Sequence, residues 1–472
     1  MAATTPGTPR LRTADFDLYA PPERVFAAFA DEPYAAFLDT SATGEGAGVR
    51  SYIAYRPSLV LRAHGDRVDV VQGGETVSTV EDPLEALRRV LRGIALRGAP
   101  GVQGLAGGLI GYLGYELGGR IERLPMTRED DLRAPDLYLC LYDTVLSYDH
   151  LRASWRIASF GPEPLADKHR ELLEELMLFN ARAQAAPPER ARRAAPRVRS
   201  NFTRAEYLRA VKRAQRHIRE GDIYQVNLSQ RFSADLTCAP WELYLRLRRL
   251  NPAPYSCYLK FPELVLASSS PELFLRARGR DVETRPIKGT RPRGRTTGED
   301  RRLRAELAAS AKDRAELAMI VDLERNDLGR VCETGSVEVR DHGRIEEHAT
   351  VFHTVSTVVG RLARGKDLVD LLRATFPGGS ITGCPKIRSM EIIDELEPPA
   401  RGPYTGSIGY LSADGNADLN IAIRTFVVKG RRVSYQVGGG IVADSDPAQE
   451  YQETLDKGKA LMEALTAKDE AE

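Results

Sequence analysis

Between Tyr255 and Ile287 four β-patterned runs follow one another, Tyr255–Lys260, Leu264–Ser269, Phe274–Ala277 and Val282–Ile287, with only three or four residues between them. A parallel pairing needs a crossover of about a dozen residues or more, so connections this short predict an antiparallel β-rich region. The last run passes into Glu283-Thr284-Arg285-Pro286-Ile287-Lys288-Gly289-Thr290-Arg291-Pro292, a strand end entering a Pro/Gly-punctuated turn. Gly289 permits close backbone approach beside Lys288. A turn lysine is ordinarily exposed, so its neighbours decide whether Lys288 does chemistry.

At 472 residues the chain is long enough for about three domains or one large α/β or α+β unit. Lys+Arg 67 against Asp+Glu 66 leaves a net charge of +1, which steers the chain toward neither nucleic acid nor an anionic membrane. The five cysteines are scattered and lack C-x-x-C spacing, the usage of a reducing compartment without a zinc site or disulfide framework. Met1 to Arg12 has no apolar core of a signal peptide, and no run reaches the roughly 18 apolar residues of a membrane span. A soluble cytoplasmic protein is expected.

Pro22 opens a short helix through Phe29, Ala36–Thr40 reads as a strand, and β-rich runs at 51–55, 59–61 and 67–71 precede a helix over Asp82–Ile94. The glycine-rich stretch Gly104–Glu116 lacks dinucleotide-fingerprint spacing and predicts packed backbone rather than a phosphate cradle. Asp136–Asp143 and Thr144–Asp149 read as adjacent strands, and Pro164–Gln184 as a helix. Residues 185–199, rich in Ala, Arg and Pro, form the best linker, dividing an N-terminal α+β region (1–184) from a catalytic region (200–466).

Thr203 with Glu206 is a capping box, and Gly221 ends that helix. In Tyr224–Phe232, alternation puts Tyr224, Val226, Leu228 and Phe232 on one face and Gln225, Asn227 and Ser229 on the other. Glu299–Leu323 reads as one long helix. Asp313 with Glu316 and Glu450 with Glu453 are spaced i, i+3, so each pair projects from one helix face, and Lys457 continues the second face. Asp446-Pro447 starts that second helix. Four carboxylates from two helices suit magnesium, which prefers hard oxygens and admits anionic groups of a substrate, although such spacing is also common on solvated faces.

Pro286-Ile287-Lys288-Gly289-Thr290, Lys312-Asp313-Arg314-Ala315-Glu316, Arg325-Asn326-Asp327-Leu328, Gly379 to Lys386, Ile423-Arg424-Thr425 and Gly438 to Glu453 occur in one order along the chain. On these motifs the sequence resembles the chorismate-utilising enzymes over nearly its whole length. The resemblance is closer to their aminodeoxychorismate synthase component I branch than to anthranilate synthase component I. It implies an α+β fold of two large, mainly antiparallel β-sheets with helices packed between and around them.

The resemblance also implies roles. Glu316 and Glu453 would hold Mg2+ directly or through water, supported by Asp313 and Glu450; Asp313 is shorter than the glutamate of anthranilate synthases, which favours water mediation. Gly289, Thr290, Tyr404, Arg424, Gly439 and Gly440 match positions that hold the carboxylates of chorismate, with Lys457 a nearby cation. His353 matches an acid or orienting donor at the departing C4 hydroxyl. Gln225 stands where isochorismate and salicylate synthases carry a lysine base, and Cys384 where alanine is usual.

Lys288 stands where anthranilate synthases have alanine, and in the aminodeoxychorismate synthase branch this lysine attacks C2 of chorismate. The expected catalytic set is therefore Lys288, His353 and Glu316, in a transaminase-class, glutamine- or ammonia-dependent enzyme feeding p-aminobenzoate and folate synthesis. No glutaminase segment is recognisable, so a separate glutamine amidotransferase subunit is the implied partner. Leu38-Asp39-Thr40 does not keep the serine-bearing pattern of tryptophan-inhibited anthranilate synthases, so weak or no tryptophan inhibition is expected. The alternatives are an anthranilate synthase and a non-catalytic subunit that binds chorismate or a glutaminase.

Overall fold

The structure is a computed structural model that describes residues 10–42, 48–96, 104–161, 170–172, 174–176, 196–348 and 351–467. Two 12-stranded sheets organise it, and every strand pairing within them is antiparallel. The first runs in the order Arg10–Phe16, Ser154–Gly161, Thr144–Asp149, Arg50–Ala54, Ala36–Asp39, Tyr255–Lys260, Val265–Ser270, Thr425–Lys429, Arg432–Ile441, Gln225–Asp235 and Arg199–Ser200, with Gly383–Cys384 joined to Gln225–Asp235. The second runs Ile287–Pro292, Val351–Arg361, Asp281–Arg285, Leu273–Arg278, Ala417–Asn420, Ser407–Ser412, Gly108–Leu113, Leu137–Tyr142, Leu59–His64, Arg67–Gln72 and Glu75–Val80, with Glu338–Glu347 on Val351–Arg361. Each sheet mixes strands from both sides of the linker stretch, so the two sequence regions are interleaved. Residues 185–195 of that stretch lie outside the described residues, as does most of the helix expected over 164–184; 170–172 and 174–176 are helical.

Period-two alternation explains the layering. In Leu137–Tyr142 the odd residues Leu137, Leu139 and Leu141 join a cluster with Leu84, Leu87, Leu317, Val321 and Leu372 from helices Pro83–Ile94, Ala311–Gly329 and Leu368–Thr375. The even residues Tyr138, Cys140 and Tyr142 join Ile110 and Tyr410 of the same sheet and Tyr52, Leu259 and Leu266 of the other, so here the sheets face each other directly. On the other face of the first sheet, Tyr258, Ala267 and Phe426 pack with helices Pro22–Ala27, Pro240–Leu250 and Pro447–Thr466. Helices Arg204–Arg219 and Lys386–Leu396 close over Val226 and Leu228.

Thr203 and Glu206 form the expected capping box, and Asp446 accepts from the Ala448 and Gln449 N–H groups. The glycine-rich stretch is packed backbone, as expected. A β-carbon on Gly111 would lie 1.9 Å from the Tyr138 carbonyl oxygen.

Two readings need correction. Leu137–Tyr142 and Thr144–Asp149 are consecutive but not paired, because the chain changes sheets at Asp143. The single helix expected over Glu299–Leu323 is two, Thr297–Ala309 and Ala311–Gly329, broken at Ser310, whose side chain accepts from the Asp313 N–H and caps the second.

Candidate active site

The strand Ile287–Pro292 slips register against Val351–Arg361 between Ile287 and Thr290, leaving Lys288 and Gly289 in an irregular segment. Such bulges re-aim side chains. Gly289 has φ 83°, and a β-carbon there would come within 2.9 Å of Asp313, so the position demands glycine. Register resumes at Thr290 opposite His353, and the Thr290 hydroxyl lies 2.9 Å from His353 Nδ1.

Lys288 donates from Nζ to the Ser380 carbonyl oxygen at 2.9 Å. Burial lowers its amine below the usual lysine range; Glu272 and Glu316 pull the other way, and Lys457 adds to the lowering. Glu272 is itself buried beneath this strand and pushed up by that burial. His353 is driven down to about 3 by burial and by the neighbouring His348 and Arg424, so its ring is neutral.

The two acidic pairs approach each other across Lys312, whose Nζ is 3.6 Å from Glu450 and 3.9 Å from Glu316. Lys457 pairs with Glu453 at 2.6 Å and donates to the Gly438 carbonyl at 3.0 Å. Burial raises Glu316 and Glu450; it acts on Glu453 as well, but Lys457 and Lys312 bring that carboxyl below its usual range.

The residues present suit a hard divalent cation. Glu316 Oε1 is buried with no hydrogen-bond partner, and so is Asp313 Oδ2, which Arg291 approaches at 3.3 Å without the alignment of a hydrogen bond. No three of the four carboxylates bring oxygens within 4.8 Å of one another. The arrangement therefore matches magnesium held by one or two carboxylates with water and substrate oxygens completing the shell, rather than an all-protein cage.

Facing these helices is bare backbone. Gly438, Gly439 and Gly440 pair with Ser229, Leu228 and Asn227, and a β-carbon on Gly440 would lie 2.0 Å from Gln225 Nε2. On Gly439 it would sit 3.2 Å from Glu450 and 3.4 Å from Glu453. Gln225 Oε1 and Asn227 Oδ1 are buried acceptors without partners. The polar face expected of Gln225, Asn227 and Ser229 thus lines the site instead of meeting water.

Arg424 holds a left-handed backbone, φ 53°, uncommon for a residue with a β-carbon. Burial lowers its guanidinium, Tyr404 opposes that, and among the described residues no carboxylate pairs with it. A desolvated guanidinium without an anion is a receptor for one. The structure thus sets Thr290 against His353, and Lys312 and Lys457 among Glu316, Glu450 and Glu453 beside the Gly438–Gly440 backbone.

Other residues carried no site role in the sequence reading. Glu272, Lys312 and the Ser380 carbonyl surround Lys288 and the carboxylates. Beneath them Arg401, 1% exposed, forms a bidentate pair with Glu397 at 2.7 and 2.8 Å and donates to the Asn227 carbonyl at 2.8 Å, while Glu397 accepts from the Ser229 N–H at 2.7 Å. The Pro398-Pro399 pair after Glu397 was the available signal of a fixed turn there. Two arginines that follow Lys288 are committed internally, Arg291 to Glu306 and Arg293 to Asp300.

The model of the chorismate binding enzyme family matches residues 37–463, and the chain belongs to that family. It is 46% identical to the anthranilate synthase component 1 of Thermus thermophilus, over 83% of this chain and 84% of that protein. It is 41% identical to the aminodeoxychorismate synthase component 1 of Klebsiella aerogenes, over 94% and 96%. Among solved structures, anthranilate synthase component I from Streptococcus pneumoniae superposes with TM-score 0.76 at 32% identity, covering 89% of this chain and 95% of that one. The menaquinone-specific isochorismate synthase of Escherichia coli shares the fold, with TM-score 0.72 at 20% identity over 98% and 95%. The chain is a chorismate-utilising enzyme of the anthranilate/aminodeoxychorismate synthase type. Overall identity does not separate the two branches. No described helix is long and apolar enough to cross a membrane.

Proposed function

We propose that the enzyme converts chorismate and ammonia to 4-amino-4-deoxychorismate, with Lys288 as a covalent nucleophile and a glutamine amidotransferase subunit as the ammonia source. The observation that carries this reading is Lys288 itself: a bulged strand aims it, the Ser380 carbonyl fixes it, and burial lowers its pKa toward the neutral, nucleophilic form.

In this reading Arg424, Tyr404, Thr290 and the glycine backbone at 289, 439 and 440 receive the substrate's carboxylates. Glu316 and Glu453, with Asp313 and Glu450 behind them, would hold Mg2+, which supplies charge neutralisation for a carboxylate. Lys288 Nζ bonds to C2, the ring double bonds shift, and the C4 hydroxyl departs as water with the proton that Lys288 gives up. Ammonia then bonds to C4, the double bonds shift back, and the amine of Lys288 leaves C2 carrying a proton from the incoming nitrogen. The sum is chorismate plus ammonia to aminodeoxychorismate plus water. His353, neutral because of its burial, orients the departing hydroxyl by hydrogen bonding rather than supplying an imidazolium proton. Gln225 offers no base to activate water as a nucleophile.

The anthranilate reading has the 46% identity to the Thermus thermophilus protein in its favour. Incubation with chorismate, magnesium and ammonium salt separates the two: aminodeoxychorismate is expected, and fluorescent anthranilate as the main product would sink the proposal.

A further inference from the structure

A cavity of about 160 Å³, distinct from the chorismate site, is bounded by Tyr115, Glu116 and the Glu397–Arg401 pair. The Arg401 guanidinium lies 4.7 Å from the ring centre of Tyr115, which lines the cavity, and 5.7 Å from that of Tyr404 in the candidate active site. One arginine is thus the common wall of both spaces.

The lining carries five carboxylates, Glu116, Asp130, Asp136, Asp394 and Glu397, against two arginines. Both arginines are committed elsewhere. Arg401 is held by Glu397, and Arg128 donates to the carbonyls of Asp394 and Glu395. The other four carboxylates are met by neutral donors. Glu116 accepts from the Arg401 and Gly402 N–H groups at 2.7 and 2.9 Å, and Asp136 from the Gly65 N–H at 2.6 Å. Asp130 accepts from the Arg133 N–H at 2.7 Å, and Asp394 from the N–H and hydroxyl of Thr127 at 2.9 and 2.6 Å. Among the described residues none of these four sits in an ion pair, so acids outnumber bases at the wall, with Arg128 among the lining residues and the charges of Arg120 and His64 acting on Asp136.

One further observation points to a ligand. The Tyr115 hydroxyl is buried with no hydrogen-bond partner, a costly state unless something else meets it. Burial pushes Glu116 up to about 7, and the charge of Asp136 adds to the rise while the backbone donors oppose it. The remaining wall is apolar, from Leu124, Met126, Met390 and Ile393. No three of the acids bring oxygens within 4.8 Å of one another, which disfavours a bare metal ion.

We propose that this cavity is a second ligand site that takes a small organic ammonium ion, its apolar body against Leu124, Met126, Met390 and Ile393 and its charged end at Glu116 and the Tyr115 hydroxyl. The inference does not depend on which product the enzyme makes.

Isothermal titration calorimetry of the full-length protein tests it, with phenethylammonium as probe and phenethyl alcohol and 3-phenylpropionate as neutral and anionic controls. Saturable one-to-one binding of the ammonium is expected, with no binding of the anion. Binding should weaken about tenfold or more in Glu116→Gln, the loss of one charge-assisted hydrogen bond. It should vanish in Leu124→Trp, which fills the apolar end and leaves the acids intact, so the test survives if Glu116→Gln does not fold. No saturable binding of phenethylammonium, equal binding of the neutral alcohol, or unchanged binding in folded Leu124→Trp would each overturn the proposal.

Discussion

Replacing Arg401 by methionine removes the residue on which the floor of the candidate site rests. Its guanidinium donates to Glu397 at 2.7 and 2.8 Å, to the carbonyls of Asn227 and Ile381 at 2.8 and 3.1 Å, and to Thr405 at 3.2 Å. Both partners of the ion pair are almost fully buried, 1% and 3% exposed, so solvent screens little of the interaction. Breaking such a pair on one side strands a buried charge, a loss of about 3–5 kcal/mol. The double variant Glu397→Leu/Arg401→Met removes both charges. It adds to the single variant's unmet Asn227, Ile381 and Thr405 acceptors only the Ser229 N–H without an acceptor, about 1–3 kcal/mol, while removing the stranded charge, so it should be more stable than Arg401→Met alone. Urea unfolding followed by circular dichroism and by fluorescence measures both, the two probes checking that a single transition is compared. A loss of less than about 1 kcal/mol in Arg401→Met, or a double variant less stable than the single, would refute the argument that the pair is a coupled buried unit.

Lys288→Ala should cut aminodeoxychorismate formation by about a thousandfold or more, the loss expected of a covalent nucleophile, while magnesium-dependent chorismate binding by calorimetry changes little; full retained activity would exclude the covalent route. His353 sits near 3 in the fold and at 6.5 unfolded. Between those values only the unfolded chain takes the proton, so the stability tied to His353 is complete above pH 6.5 and lost as pH falls toward 3, up to roughly 5 kcal/mol. His353→Asn should flatten that part of the stability profile, and an unchanged slope would contradict the assignment. Gly440→Ala places a β-carbon 2.0 Å from Gln225 Nε2. The amide must swing into the substrate space, and KM for chorismate should rise about tenfold, ~1.4 kcal/mol, with unfolding little changed; an unaltered KM would place Gln225 outside the binding surface.

Local signals read correctly where one residue settles one conformation. Thr203 with Glu206 and Asp446 with Pro447 set helix starts by side-chain acceptors alone, and both were legible. Ser310 was not, because a lone serine between alanines carries no Gly or Pro signal, and its capping role depends on how the two helices dock. Leu137–Tyr142 and Thr144–Asp149 read as strands, yet period two says nothing about which sheet a strand joins. Glu75–Val80, an edge strand exposed throughout, offered no apolar face to detect. The ordered motifs pointed to the two acidic pairs, Lys288 and His353 as candidate site residues. Glu272 and the Ser380 carbonyl stayed hidden, since a backbone acceptor has no residue signature and a single buried glutamate resembles any surface one.

The most direct test of the central claim is intact-protein and peptide mass spectrometry of the enzyme incubated with chorismate and magnesium but no ammonia. The account predicts an adduct of chorismate less one water on the peptide containing Lys288, discharged as aminodeoxychorismate when ammonium is added. No adduct on Lys288, with anthranilate formed once ammonium is supplied, would contradict it.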